Sequence, residues 1–309
     1  MIIRRVVLPA SLLLFATLPS LTHAAAGKAG FAFLKLGVSG RGVAMGDAMS
    51  ALVSGAAAAY YNPAGLVDPA VAGSTGQILV MHKEWVQDMR SQFLGGSMAI
   101  GADNAVAFSL NNTTVADIPI YTRPGEPEGT FTSRSFSAGL SYGHRLTDNL
   151  SLGFSARFLY EKILIDESSG FAIDLGGRFV TPVEHLVVGA TIANLGSANA
   201  FRTERTTLPT TLRIGPGYAF DVPEIPASVA VGSDLVVVFP ESAARVHLGG
   251  EFSFLNSVAA RLGYQVGTGA RGFSAGLGIS HGILAFDYAF APLTNDLGNT
   301  HTFSLLLNL

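Results

Sequence analysis

Apolar and small or polar residues alternate along most of the chain after about residue 72. In the segment SLGFSARFLY, residues 151–160, bulky apolar side chains occupy most even positions, whereas Ser, Gly and Arg occupy most odd positions. The segment ARVHLGGEFSF, residues 244–254, repeats the pattern. A period of two is typical of β-strands whose two faces meet different surroundings. The pattern therefore predicts an all-β structure over residues 71–309.

Turn residues divide this region into about 14 strands. We predict strands at 72–82, 91–100, 103–113, 131–144, 150–161, 167–180, 185–194, 209–220, 226–239, 242–254, 257–266, 271–280, 282–291 and 300–309. The even-numbered connections are short: 102–104, 146–149, 181–184, 221–225, 255–257 and 281–282. The odd-numbered ones are mostly long, at 83–90, 114–129, 195–208 and 292–299, with 240–242 as the exception. Such an alternation is typical of bacterial transmembrane barrels, in which short periplasmic turns alternate with longer external loops.

The composition favours the same interpretation. Charged residues make up only 13% of the chain, about half the share of a soluble domain, and the mean hydropathy is +0.40. Yet after residue 26 there is no apolar run of the roughly 18 residues that a membrane helix needs. A lipid-facing barrel explains both facts, because only alternate residues must be apolar. The alternative, a soluble β-sandwich, would require polar outer faces.

Several classes of function have no support in the sequence. A net charge of -3 argues against nucleic-acid binding, and the absence of cysteine excludes disulfides and thiolate metal sites. We find no nucleophile elbow, no phosphate-binding glycine loop and no H-E-x-x-H motif. We therefore expect a protein that is not an enzyme and has no cofactor or metal. His247 and Glu251 share a strand face, which we interpret as a lumenal polar pair rather than as metal ligands.

Residues 1–26 have the form of a secretory signal peptide. Arg4 and Arg5 precede an apolar core from about Val6 to Leu18, and small residues allow cleavage after Ala24 or Ala26. We therefore expect export.

Residues 27–70 form a separate segment, rich in alanine and glycine. Apolar residues fall at helical spacing at Ala44, Ala48, Leu52 and Ala56. Because glycines interrupt the segment, we expect small kinked helices folded inside the barrel as a plug. Pro63 ends the last helix and turns the chain at Asn62 toward the first strand, and we expect Tyr60 and Tyr61 to anchor the plug against the wall.

The sequence AGFAFLKLGVSGRGVAMGDAMSALVSGAAAAYYNPAGL, residues 29–66, resembles the amino-terminal signature of the PorV/PorQ family, a branch of the FadL-like outer-membrane proteins. The residues that carry the resemblance are Phe33, Leu34, Arg41, Met45, Gly46, Tyr60, Tyr61, Asn62, Pro63 and Gly65. The resemblance implies a barrel of 14 strands, closed inside by its amino-terminal hatch, in the outer membrane of a Gram-negative bacterium.

Charged residues fall on the predicted inner face of the barrel. They are Arg157, Asp174, Arg178, Arg245, Glu251, Arg261 and Asp287. Lone charges in a dry interior would be costly, so either they pair with one another or they line a solute path. Trp85, with Met81 and Met89 nearby, is either part of an apolar entrance or an interfacial girdle residue.

Two functions follow from the resemblance. In the first, the barrel passes hydrophobic small molecules across the outer membrane. In the alternative, it is a PorV-like component of type IX secretion that docks or shuttles exported proteins at the cell surface. The expected partners are membrane lipid with either a hydrophobic ligand or secreted cargo and secretion machinery.

Overall fold

The computed structural model describes residues 29–68, 75–201 and 206–309, and its strands form one closed antiparallel barrel. Each strand pairs with its neighbours in sequence, and the last strand pairs with the first, so the predicted fold class is confirmed. The predicted signal peptide and the predicted boundary between plug and barrel at residues 70 and 71 lie outside the described residues. The strands are β1 Gly76–Glu84, β2 Met89–Ile100, β3 Asn104–Ile120, β4 Gly129–Arg145, β5 Leu150–Ile163, β6 Asp166–Val180, β7 Leu186–Ala198, β8 Thr211–Val222, β9 Ala227–Val238, β10 Ala243–Phe254, β11 Val258–Val266, β12 Phe273–His281, β13 Leu284–Pro292 and β14 Asn299–Asn308.

Closure of the barrel removes the edge that an open sheet would present to lipid. Strands β1 and β14 pair continuously, from Gln77 opposite Asn308 to Glu84 opposite His301. Unpaired backbone groups would cost several kcal/mol each in hydrocarbon. No helix in the described part of the chain is long and apolar enough to cross a membrane.

The two faces of the wall differ as the alternation predicts. In β5, Phe154 and Phe158 are 42% and 38% exposed on the outer face, whereas Ser155 and Arg157 on the inner face are 0% and 5% exposed. Apolar outer side chains continue around the barrel, and Leu140 is 70% exposed. A wall with an apolar outside and a polar inside suits lipid around it and a polar interior.

Several connections are shorter than we predicted. The predicted loop 114–129 shrinks to 121–128, because a bulge between Val115 and Ile118 lets the β3–β4 hairpin continue pairing beyond it. The first loop covers 85–88 rather than 83–90, so Lys83 belongs to β1. The connection between β5 and β6 is only Leu164 and Ile165, so the expected alternation of long and short connections is wrong at that hairpin. We call the end with connections 121–128 and 293–298 the loop end and the opposite end the turn end.

The plug runs lengthwise through the barrel. Near its beginning, the backbone N–H of Phe31 donates to Glu161 at the loop end (3.2 Å), and near its end the carbonyl of Val67 accepts from Arg145 at the turn end (2.8 Å). It contains two α-helical turns, α1 at Gly40–Ala44 and α2 at Ala58–Tyr61, and 3₁₀ turns at Ala32–Lys35, Gly55–Ala57 and Pro63–Val67.

The segment from Ala44 to Ala56 forms no continuous helix, in agreement with the predicted short helices interrupted by glycines. Gly46 and Gly55 interrupt the segment with left-handed backbone angles, φ 62° and 60°. A Cβ atom on Gly46 would lie 2.7 Å from the carbonyl oxygen of Leu248 in the wall. The narrow interior therefore selects tight turns over continuous helix.

Candidate functional site

The wall has glycines where the plug backbone touches it. A Cβ atom on Gly153 would lie 2.2 Å from the carbonyl carbon of Pro63, and one on Gly189 would lie 2.1 Å from the carbonyl oxygen of Ser50. Both distances are far below van der Waals contact, so these positions exclude any other residue while the plug is seated. The plug thus rests on the wall by close backbone contact.

Asn62 fastens the turn that ends the plug. Its side-chain amide donates to the carbonyl oxygens of Ser50 (2.7 Å) and of Gly177 in the wall (3.0 Å), and its oxygen accepts from Ala64 (3.1 Å). Asp234 of the wall accepts from the backbone N–H of Ser50 (3.0 Å). Pro63 follows at the first position of the last 3₁₀ turn. This turn is therefore tied to two sides of the barrel.

The two tyrosines contact the wall through their rings, whereas their hydroxyls bond within the plug. The hydroxyl of Tyr60 donates to the carbonyl of Leu34 (2.8 Å) and that of Tyr61 to Asp47 (2.8 Å), so both join segments of the plug to each other. Their rings face a charged side chain of the wall: the guanidinium carbon of Arg213 lies 5.7 Å from the ring centroid of Tyr60 and 5.9 Å from that of Tyr61. The plug folds upon itself because it lacks longer helices.

The remaining motif residues are packing positions. Phe33 and Leu34 are buried in an apolar cluster at the loop end, with Phe31, Leu159 and Leu208. Met45 is fully buried in the central cluster of the plug. A Cβ atom on Gly65 would lie 2.4 Å from the carbonyl oxygen of Val53. These residues shape the plug and offer no chemistry of their own.

The structure pairs the predicted inner-face charges through the plug. Arg41 of the plug donates two hydrogen bonds to Glu251, both 2.9 Å, and Glu251 also accepts from Arg261. Arg261 in turn donates to Asp287 (2.7 Å). Four charged groups therefore form one neutral network between α1 and the wall.

A second group of charges lies on the opposite side of the interior. Arg157 contacts Asp174 and donates to Asn194 (3.1 Å), and Arg178 forms an ion pair with Asp68 of the plug (2.9 Å). The sequence allows two interpretations of the inner-face charges: pairing with one another, or lining a solute path. Pairing describes these residues and the Arg41 network. The remaining predicted charge, Arg245, pairs with Glu241 outside that set.

Arg245 lines a chamber above the plug at the loop end. The chamber measures about 210 Å³, and its cationic lining residues are Lys35, Arg213, Arg245 and Arg271. Trp85 also lines it, with the guanidinium carbon of Arg271 4.4 Å from its ring centroid. The girdle interpretation of Trp85 is therefore wrong, and the entrance interpretation agrees with its position.

Two carboxylates outside the strands balance part of this charge. Glu241 accepts from Lys35 and from Arg245. Burial works to raise the pKa of Glu241, but the hydrogen bonds and charges of those two cations outweigh burial and lower it. The pKa of Asp47 in the plug is lowered as well. Burial works to raise it, but the positive charges of Lys83 and Arg271 outweigh burial.

His247 and Glu251 do not form the pair that we predicted. Glu251 belongs to the Arg41 network, whereas His247 lies four residues away along β10 and lines the chamber. Within the described residues, no group of three or more His, Asp or Glu side chains is placed to hold a metal ion.

The sequence analysis missed Lys83, Arg213 and Asp234. All three lie on the inner face of strands and are at least 91% buried. The alternation in β8 and β9 places Arg213 and Asp234 on that face and could have identified them. Lys83 was missed because β1 continues past the predicted end at residue 82.

No protein-family model and no curated protein matches the sequence. Solved structures do match. TodX, a toluene transporter from Pseudomonas putida, is 12% identical and has a TM-score of 0.63, with 88% of this chain and 99% of TodX covered. CymD, a monoaromatic hydrocarbon channel, is 13% identical with a TM-score of 0.63, and the match covers 88% and 98% of the two chains. A FadL homologue from Pseudomonas aeruginosa is 11% identical, with a TM-score of 0.47 and coverage of 87% and 97%. At such identities, the TodX and CymD matches establish a common fold.

Proposed function

We propose that this protein is a channel, not an enzyme, that passes hydrophobic small molecules across the outer membrane of a Gram-negative bacterium. The observation that carries the proposal is the chamber at the loop end, above a plug that lies inside a closed, lipid-facing barrel. A solute that enters from the loop end meets this chamber first. The fold shared with TodX and CymD, which their descriptions name as a toluene transporter and a hydrocarbon channel, supports the same function.

The apolar surfaces near the chamber suit such a solute. Beside it, Trp85 packs against the buried cluster of Phe31, Phe33 and Leu34. Farther along the interior, Met45 and Tyr61 belong to a second apolar cluster that joins plug and wall. Because the plug occupies the interior between the loop end and the turn end, we infer that passage requires part of the plug to move.

The location is part of the proposal. Removal of residues 1–26 would release the chain into the periplasm, and its lipid-facing wall would then insert into the outer membrane. Assignment to the PorV/PorQ family stays a prediction from the motif at 29–66, as does a role in type IX secretion. No contact in the described structure favours cargo docking over passage of small molecules.

Uptake by living cells tests the channel. A Gram-negative host that produces the full chain should accumulate radiolabelled toluene faster than the same host with an empty vector. Equal uptake, at verified levels of folded barrel in the outer membrane, would contradict the proposal.

A reversible lock tests the need for plug movement. In Leu66→Cys with Gly143→Cys, the Cβ atoms would lie 3.0 Å apart, slightly closer than the roughly 3.5–4.5 Å of natural disulfides. Because the chain has no other cysteine, this pair is the only possible disulfide within one molecule. Oxidation should reduce toluene uptake, and a reductant should restore it, whereas Gly143→Cys alone should respond to neither. Uptake unaffected by the closed disulfide would place the path elsewhere.

A further inference from the structure

We propose that the chamber at the loop end binds the carboxylate of a single-ring aromatic acid. The inference rests on the proposed channel function and names aromatic anions as a class of substrate besides neutral hydrocarbons. Three features carry it: the sign of the charge in the lining, buried donors without acceptors, and the size and apolar character of the space.

The chamber has an excess of positive charge. Four cationic side chains line it, and no acidic side chain is among the described residues of the lining. Behind the lining, one carboxylate, Glu241, serves both Lys35 and Arg245. Asp47 lies 3.7 Å from Arg271, and it also accepts hydrogen bonds from Tyr61 and Gln265. An anion in the chamber would therefore supply charge that the lining lacks.

Hydrogen-bond donors in the lining also lack acceptors. Arg213 is only 9% exposed, and its Nε has no hydrogen-bond partner among the described residues. The same holds for Nε of Arg245. Neither ring nitrogen of His247, which is 6% exposed, has a partner among the described residues, and one of the two is a donor in the neutral ring. Buried donors are normally paired. All three residues line the same small space, and a carboxylate offers two oxygens that accept hydrogen bonds.

The size and the apolar part of the lining indicate one aromatic ring. A cavity of about 150 Å³ can hold benzene, so 210 Å³ accommodates a ring with a carboxylate. Trp85, Leu293, Leu297 and Val236 form apolar parts of the lining. An aromatic acid would place its ring against these side chains and its carboxylate toward Arg213 and His247.

Trp85 makes the binding measurable, because it is the only tryptophan of the chain. Benzoate added to the purified full chain in detergent at neutral pH should change the tryptophan fluorescence with saturation. Benzyl alcohol, which has the same ring without the charge, should bind about tenfold more weakly or worse, the scale of one charge-assisted hydrogen bond. Equal affinity for the two compounds would overturn the proposal. Displacement of benzoate by equimolar sulfate would also overturn it, since the site would then select a simple anion.

Variants identify the residues. Arg213→Gln and, separately, Arg245→Gln should each weaken benzoate binding about tenfold, and Arg213→Lys should recover part of the loss. Arg134→Gln removes a cation from an exposed position on β4 and should leave the affinity unchanged. If Arg213→Gln fails to fold, Arg245→Gln carries the test, and an unchanged affinity in a folded Arg245→Gln barrel would contradict the proposal. Toluene uptake by cells is a separate readout: if the wild type takes up toluene but does not bind benzoate, this inference alone is overturned.

Discussion

Charged residues inside the barrel are held by short contacts between plug and wall. In the plug, Arg41 pairs with Glu251 of the wall and Lys35 pairs with Glu241 of a loop. Asp68 of the plug pairs with Arg178 of the wall. Breaking a buried pair by removing one partner typically costs about 3–5 kcal/mol, because the remaining charge stays buried. These residues therefore decide how firmly the plug is seated.

Glu241 should make the stability of the loop end depend on pH. Its pKa in the folded protein lies below the ordinary value of 4.5, so it stabilises the fold above that value, and the contribution disappears as the pH falls through the lowered pKa. We expect the thermal unfolding temperature of the wild type in detergent to decrease as the pH is lowered from 7 to about 3. Glu241→Gln should have a lower midpoint at neutral pH and a smaller further loss in acid.

Glu126→Gln, in an exposed part of the β3–β4 loop, serves as the control and should retain the acid response of the wild type. A Glu241→Gln variant with the full acid response would show that Glu241 contributes nothing to it.

At the scale of elements, strand β10 shows how the wall accommodates the plug. Gly249 and Gly250 are adjacent but face opposite sides. A Cβ atom on Gly249 would lie 2.4 Å from the carbonyl oxygen of Met45, whereas one on Gly250 would meet nothing within 4 Å. A side chain added at Gly249 would therefore collide with the plug, whereas one added at Gly250 would not.

Gly249→Val should destabilise the protein, by about 1–3 kcal/mol as for other overpacked positions, since the plug backbone must move away. Gly250→Val adds the same side chain to the same strand and should be neutral or slightly stabilising, because valine favours strands. Urea unfolding in detergent compares the two. Equal destabilisation would show that the plug does not rest on β10.

At the scale of the whole molecule, the outer face of the wall is apolar. Leu262, in the middle of β11, is 59% exposed, and Leu255, in the turn between β10 and β11, is 57% exposed. The two side chains are equally accessible but lie at different depths in the proposed membrane orientation. A charged substitution should therefore have a different cost at the two positions only if the barrel lies in a membrane.

Leu262→Arg should destabilise the barrel in lipid vesicles by about 2–4 kcal/mol, the cost of arginine at the membrane midplane, and Leu255→Arg by only about 0–1 kcal/mol. Reversible urea unfolding in vesicles measures both. Similar small effects of the two substitutions would mean that the wall does not face hydrocarbon.

The sequence predicted different features of the wall and of the plug. Alternation in residues 151–160 and 244–254 correctly assigned the inner and outer faces of β5 and β10. Strand ends were less predictable, as Lys83 shows, because pairing with a neighbouring strand extends a strand past its local pattern. In the plug, the glycines correctly indicated short helical turns instead of a continuous helix, and Gly46 and Gly55 have positive φ angles.

The sequence by itself predicted the closed barrel, since strands with an apolar outer face in lipid satisfy their backbone hydrogen bonds only when the sheet closes. It also determined that the segment before the wall differs from the wall. Only the tertiary structure decided which charges meet and that Lys35, Arg213, Arg245 and Arg271 surround one space. These residues lie far apart in the chain, and no local pattern encodes the distance between side chains on different strands and loops.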